Sequence, residues 1–360
     1  MIVIDMHLDL AMNAINWNRD LRKTVHEIRQ VEAGMTQKGR AGGTVAFPDM
    51  RAGDMAVCSA TLLARENPRV RGGGIDFSAP EMAYGFAMGS LAYYRQLEAE
   101  GICRIITDWP GLDRQIQEWN TRGRDNTPLG FIISMEGADP IVSPDQVQHW
   151  YDAGLRVASL VHYGVSRYAH GTGAPGGLTP LGKPMLQAME AAGMILDLTH
   201  LADDSFFQAM DIYHGPVLAS HNNCRALVPG DRQFTDDQIR LIVERGGVIG
   251  AAFDNWMLYA GYVKSETARE LVPIDNVVDH IDHVCQIAGN ARHAAIGTDL
   301  DGGYGIEQSP DGLDTIADLQ KIPDLLRKRG YAEADVEAIM HGNWLRLFRD
   351  VWSGSASRSG

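Results

Sequence analysis

The chain opens with Met1-Ile-Val-Ile-Asp-Met-His-Leu-Asp-Leu10. Ile2 to Ile4 is a short apolar run that reads as a buried strand. His7 and Asp9 follow it two residues apart, so in extended backbone both side chains leave one face. A lone His-x-Asp pair is ordinarily a hydrogen-bonded core histidine beside a turn aspartate, because charges are seldom buried unpaired. The pair gains another meaning because the same arrangement, an apolar run ended by a polar group, recurs along the chain.

From Gly130 onward the recurrence is regular. Phe131-Ile-Ile133 leads to Glu136, residues 157–161 lead to His162, Ile195-Leu-Asp-Leu198 to His200, Val217-Leu218 to His221, Val248-Ile249 toward Phe253, and Ala294-Ala-Ile296 to Asp299. Each interval is long enough for one crossover helix, which needs a dozen or more residues. Thr179-Pro180 supplies an N-cap and a first-turn proline for one of these helices, predicted to run to Gly193. Repeated strand and helix units predict a (β/α)8 TIM-type barrel, with its site at the C-terminal ends of the strands. In the first third, residues 55–64 and 102–107 read as strands, 15–32, 79–100 and 112–122 as helices, and 34–43 as a loop. Further helices are predicted over 275–288, 313–329 and 333–351, the last broken near Gly342. Residues 1–352 are expected to form a single domain and 353–360, rich in Ser and Gly, a disordered tail.

Composition narrows the function. The 360 residues are 45% hydrophobic and 22% charged, ordinary for a globular protein. No apolar run approaches a membrane span and no leader-like segment precedes the first strand, so the expectation is a cytoplasmic, unanchored protein. A net charge of −14 argues against nucleic acid as a partner. The four cysteines, Cys58, Cys103, Cys224 and Cys285, are far apart and suggest neither a disulfide framework nor a thiolate metal site. A homodimer is the base-rate expectation. Gly171-Thr-Gly-Ala-Pro-Gly176 spells a dinucleotide fingerprint, but it follows no strand-to-helix turn and reads as a loop.

A closed barrel would gather His7, Asp9, Glu136, His162, His200, His221 and Asp299 into one mouth. Histidines mixed with carboxylates suit zinc or another divalent metal with nitrogen and oxygen donors. Two metals need a bridging anion, and Glu136 has an oxygen for each. Neutral imidazoles leave the metals' charge intact, so bound water is acidified toward a pKa of about 7 and a shared hydroxide can act as nucleophile. Asp299 can take its proton and return it to the leaving group. Asp301 competes with Asp299 for that role; Asp299 comes first after the apolar run.

Taken in order, His7-x-Asp9, Met135-Glu-Gly137, Leu160-Val-His162, Gly177-Leu-Thr-Pro-Leu-Gly182, Asp197-Leu-Thr-His200, Ser220-His-Asn-Asn223 and Gly297-Thr-Asp-Leu-Asp-Gly302 resemble the membrane (renal) dipeptidase family of zinc peptidases, in the amidohydrolase superfamily. The resemblance runs from the first strand to Gly342-Asn-Trp-Leu-Arg-Leu-Phe348. It implies two zinc ions per chain, one on His7 and Asp9 and one on His200 and His221, with Glu136 bridging. It implies that His162 meets the substrate carbonyl and oxyanion, that Arg232 takes the terminal carboxylate of a small peptide, and that Asp299 lies near the scissile amide and the amino group. Family members accept L-Xaa-L-Xaa or L-Xaa-D-Xaa dipeptides. The alternatives are another amide, lactone or ester on the same metal chemistry, or a barrel that binds metal without turnover. The chain departs from the family pattern at Leu8, over residues 163–171, and over residues 16–109, a longer and poorly matching stretch.

Overall fold

The computed structural model describes residues 1–69 and 74–354. Eight parallel strands form the barrel: β1 (Val3–Leu8), β2 (Met55–Leu63), β3 (Leu129–Glu136), β4 (Leu155–Ser159), β5 (Ile195–Asp197), β6 (Val217–Leu218), β7 (Ile249–Ala251) and β8 (Ala294–Ile296). They pair in sequence order, and β8 returns to β1 through Asp5 opposite Ile296. The ring closes between β6 and β7 at a single parallel bridge, Ala219 to Ile249, extended by the Asn222 amide donating to the Gly250 carbonyl at 2.7 Å. Backbones come very close here: a Cβ on Gly297 would lie 1.7 Å from the Ser220 carbonyl oxygen, so only glycine fits.

Apart from Arg156 in β4, the strands are buried along their length, as a parallel sheet covered by helices requires, and so read as apolar runs rather than alternations. Two buried aspartates fasten neighbouring strands. Asp5 accepts from the Thr298 amide at 2.9 Å and its hydroxyl at 2.6 Å, linking β1 to the end of β8. Asp197 does the same for Ser220, amide at 3.0 Å and hydroxyl at 2.5 Å, linking β5 to the end of β6.

The helix expected over 275–288 is Asp275–Ala288, ended by the left-handed Gly289. That expected over 79–100 is Pro80–Ala99, and that over 112–122 starts earlier, at Trp109, behind the Asp108 cap. Three expectations are corrected. Residues 15–32 are not one helix: Leu10–Ile15 ends before the left-handed Asn18, and a capping box of Thr24 and Glu27 opens Val25–Val31. The helix at Thr179 begins later, at Gly182, because Thr179 instead bonds the Arg167 carbonyl and the Leu181 amide in a turn. Residues 313–329 split into a 3₁₀ segment, Ile316–Lys321, and an α-helix, Ile322–Lys328, with Pro323 in its first turn. The break near Gly342 is a π-helical stretch, Ala338–Gly342, between Glu333–Glu337 and Asn343–Gly354. The tail expectation falls mostly on 355–360, outside the described residues; Ser353 and Gly354 end the last helix. The strand expected over 102–107 is Cys103–Ile105, which pairs with the first half of β3 outside the barrel ring.

Candidate metal centre

A positional rule emerges at the C-terminal mouth. His162, His200, His221 and Asp299 each stand three residues beyond the last residue of their strand, while Glu136 ends β3 and His7 lies within β1. His200 and Asp299 hold left-handed φ values of 68° and 60°, uncommon for residues with a Cβ and typical of functional sites. A cavity of about 240 Å3 is lined by Asp9, Glu136, His162, His200, Arg232 and Asp299 among others.

Glu136 is the hub. Its Oε2 faces His7 Nε2 at 3.7 Å, whereas its Oε1 lies 3.0 Å from His200 Nε2 and 3.2 Å from His221 Nε2. His7 Nε2 is also 3.9 Å from Asp9 Oδ2 and 3.8 Å from Asp299 Oδ1. Donor atoms of His7, Asp9 and Glu136 lie within 4.8 Å of one another, as do those of His7, His221 and Asp299, and those of Glu136, His162 and His200. His7 Nε2 and Asp9 Oδ1 are buried without any hydrogen-bond partner. Such orphaned groups are rare unless something outside the polypeptide satisfies them.

Electrostatics gives the same answer. Burial raises the Asp9 carboxyl to about 7 and pushes those of Glu136 and Asp299 well above the usual range, with the charge of Asp9 adding to both. Burial lowers His7 to about 3, helped by Arg232, and holds His162, His200 and His221 well below their ordinary value. The imidazoles are therefore neutral, as ligation requires, and the carboxylates crowd together until a cation neutralises them. The tautomer of His221 follows from its neighbours. Ser220 gives its hydroxyl proton to Asp197, so at 2.9 Å it can only accept from His221 Nδ1, leaving the Nε2 lone pair toward Glu136 and the cavity. His200 Nδ1 has Thr172 Oγ1 at 3.0 Å. These donors fit a divalent metal.

Arg232 is buried, its guanidinium donating to Asn222 Oδ1 and, at 2.8 Å, to the His221 carbonyl while it lines the cavity. Asp301 does not enter the cavity. It accepts from the Thr44 amide and hydroxyl, the Val45 amide and Arg19, which makes it part of the packing behind the site.

Sequence reasoning missed two groups. Arg65, just past β2, is held by Asp76 at 2.8 Å and sets Nη1 3.3 Å from His162 Nδ1. Asp254 stands three residues beyond β7, the position the other strands use, and lines the cavity. It is the next residue after Phe253, where the apolar run ends.

A model described as membrane dipeptidase, peptidase family M19, matches residues 104–358. An uncharacterised protein in the pqqA 5′ region of Klebsiella pneumoniae is 32% identical over 272 residues, 73% of this chain and 94% of that protein. Dipeptidase aclJ of Aspergillus oryzae is 31% identical over 62% of this chain and 52% of its own length. The chain likewise spans about half the length of the other fungal and mouse dipeptidases it matches. Among solved structures, the metallopeptidase dipeptidase AC of family M19 superposes with a TM-score of 0.77 at 23% identity, covering 98% of this chain and 99% of that one. A metallopeptidase from Rhodobacter sphaeroides, liganded with a phosphinate mimic of the dipeptide L-Ala-D-Ala, gives 0.77 at 22% identity with the same coverage. His7 and Asp9 precede the matched segment, yet the barrel sets them against Glu136, inside it. The chain belongs to the membrane dipeptidase family, the metallopeptidases of family M19.

Proposed function

We propose that this chain is a binuclear zinc dipeptidase, with one zinc on His7 and Asp9, the other on His200 and His221, and Glu136 shared between them. The observation that carries the reading is the division of Glu136: one oxygen toward His7, the other toward His200 and His221. When bound, the metals supply a water acidified enough to attack at neutral pH and a Lewis acid for the scissile carbonyl.

The chain's own residues then have separate tasks. Arg232, fixed by Asn222 and the His221 carbonyl, presents its remaining N–H groups to the substrate's terminal carboxylate. His162 donates to the oxyanion. Arginine has no acceptor, so beside Arg65 the Nδ1 of His162 is the acceptor and its proton sits on Nε2, 3.7 Å from Glu136 and turned to the site. That protonation suits a hydrogen-bond donor rather than a metal ligand. Asp299 takes up the proton of the attacking water and passes it to the departing amine. Its Oδ1 lies 3.8 Å from His7 Nε2, at the edge of the candidate metal site, where that exchange would occur.

The first substrate to try is L-Ala-D-Ala, whose mimic the Rhodobacter neighbour binds, beside L-Ala-L-Ala, an N-acyl amino acid and a lactone. Metal analysis of the purified protein should find two zinc ions per chain, and Glu136→Gln should lose at least one of them together with turnover. Full activity of a metal-free preparation, or hydrolysis of the lactone in preference to every dipeptide, would refute the reading. A cytoplasmic location and a homodimer belong to the same proposal. All four cysteines are buried and unpaired, as in a reducing compartment, and no described helix is long and apolar enough to cross a membrane. Light scattering in solution tests the dimer.

A further inference from the structure

Two lysines share the cavity with the candidate ligands, and neither has a task in the chemistry above. Lys38, in the loop after the Val25–Val31 helix, and Lys264, beyond β7, both line it from exposed positions at its rim. Lys38 Nζ lies 5.9 Å from the ring centre of Tyr304 and Lys264 Nζ 5.2 Å from that of Trp256, two aromatic rings that also line the cavity. Among the described residues no carboxylate oxygen comes within 4.0 Å of either ammonium, the only lysine so paired being Lys321 with Asp318.

The nearest acids are already committed. Asp254 receives Gln308 Nε2 at 2.6 Å on both oxygens and the Trp256 indole N–H at 2.6 Å. Glu307 receives the amides of Gly39 at 3.1 Å and Gly305 at 3.0 Å. Asp254, Glu307 and Asp299 act on Lys38 from a distance, but among the described residues neither ammonium has a carboxylate in direct contact. An acidic group of a bound molecule that reached this rim could make the direct ion pair that neither lysine has within the chain.

Position decides which part of a substrate would meet them. Trp256 and Tyr304, the rings the lysines sit over, lie in the segments after β7 and β8, and Asp299 also follows β8, so the lysines stand on that side of the mouth. Arg232 instead backs His221 and Asn222. With the terminal carboxylate at Arg232 and the amino group near Asp299, as the dipeptidase reading has them, the side chain of the amino-terminal residue would point toward this rim.

We propose that Lys38 and Lys264 form an anion subsite for the side chain of the substrate's amino-terminal residue, so that the preferred dipeptides carry Asp or Glu there. This rests on the dipeptidase reading of the metal centre. The test compares kcat/KM of the zinc-loaded enzyme for Glu-Ala, Gln-Ala, Lys-Ala and Ala-Ala, each with L- and D-alanine. Glu-Ala should exceed Gln-Ala by about tenfold or more, the worth of one charge pair in a partly enclosed site. In the Lys38→Met/Lys264→Met double variant that ratio should fall to near one, and in Lys38→Glu/Lys264→Glu the preference should pass to Lys-Ala. Both positions are exposed, and unchanged melting temperatures will show that the variants fold. Equal turnover of Glu-Ala and Gln-Ala by the wild type, or the same ratio in the Met variant, overturns the subsite and leaves the dipeptidase standing. Turnover of none of the four overturns both.

Discussion

Asp299 and Asp301 are two residues apart, share left-handed φ values of 60° and 61°, and should nevertheless fail in opposite ways when changed. Asp301 is buried, accepting from the Thr44 amide at 2.7 Å, the Thr44 hydroxyl at 2.8 Å, the Val45 amide at 3.1 Å and Arg19 Nη1 at 3.3 Å. Asp301→Asn removes the charge and turns one acceptor into a donor facing other donors. Removing one partner of a buried ion pair costs about 3–5 kcal/mol, but Arg19 keeps Glu32 at 2.8 Å, which argues for the lower end. An unsatisfied backbone amide adds about 1 kcal/mol or more. The net expectation is a loss of about 4 kcal/mol, roughly a thousandfold in the folding equilibrium. The variant should melt roughly 5–15 °C lower. Asp299→Asn behaves otherwise. Asparagine accepts the left-handed backbone, and losing one of several crowded carboxylates should leave the metal-free protein as stable or slightly more so. Turnover should fall by about 10² to 10⁴. Differential scanning fluorimetry and urea titration of metal-free protein, with kcat of the zinc-loaded forms, measure both. If Asp301→Asn melts with the wild type, or Asp299→Asn retains turnover, the assignment of one aspartate to packing and the other to chemistry is wrong.

Other consequences can be checked as directly. Arg65→Met frees His162 to change tautomer; kcat should fall about ten- to a hundredfold with little change in KM, and a parallel rise in KM alone would contradict the oxyanion role. Ser220→Ala removes the group that orients His221 and should weaken zinc binding about 10- to 100-fold in a chelator competition. His280 is buried and accepts from the Cys224 amide at 3.1 Å; burial lowers its pKa to about 3. The unfolded chain protonates this histidine below about 6.5 and the folded one only near 3, so stability is complete above 6.5 and drains away as pH falls between those values. His280→Gln should flatten the pH dependence of the unfolding free energy from urea titration over pH 6 to 4 by up to about 1.4 kcal/mol per pH unit; an unchanged slope would show that the histidine is not the source.

Much of the barrel was legible because parallel strands covered on both faces leave continuous apolar runs, and because the groups at their ends, Glu136, His162, His200, His221 and Asp299, break those runs visibly. The first third was less so. The mixed residues of 15–32 carry no single period, and only the Thr24 cap, whose partner Glu27 lies three residues on, marks where a helix begins. Asp5 and Asp197 lie in otherwise largely apolar strands, and their value as strand fasteners depends on Thr298 and Ser220, which no local pattern links to them. Arg65, Lys38 and Lys264 were beyond reach for a related reason. A cation on a loop acquires meaning only from the ring or imidazole it is set against, and no local pattern records that.

The bridge between β6 and β7 is one of two thin welds in the hoop of the barrel, the other being the Asp5 to Ile296 pair between β1 and β8. His221 lies two residues beyond the first of these welds, and the groups facing it across the mouth belong to the first, third and fifth staves. A cation pair held by those four staves would act as a clasp across the weak joint, so chelation should first speed amide exchange at Ala219, Asn222 and Gly250. Catalytic cargo and mechanical fastener would then be one object, and an enzyme starved of metal would loosen at its seam before it lost its shape elsewhere.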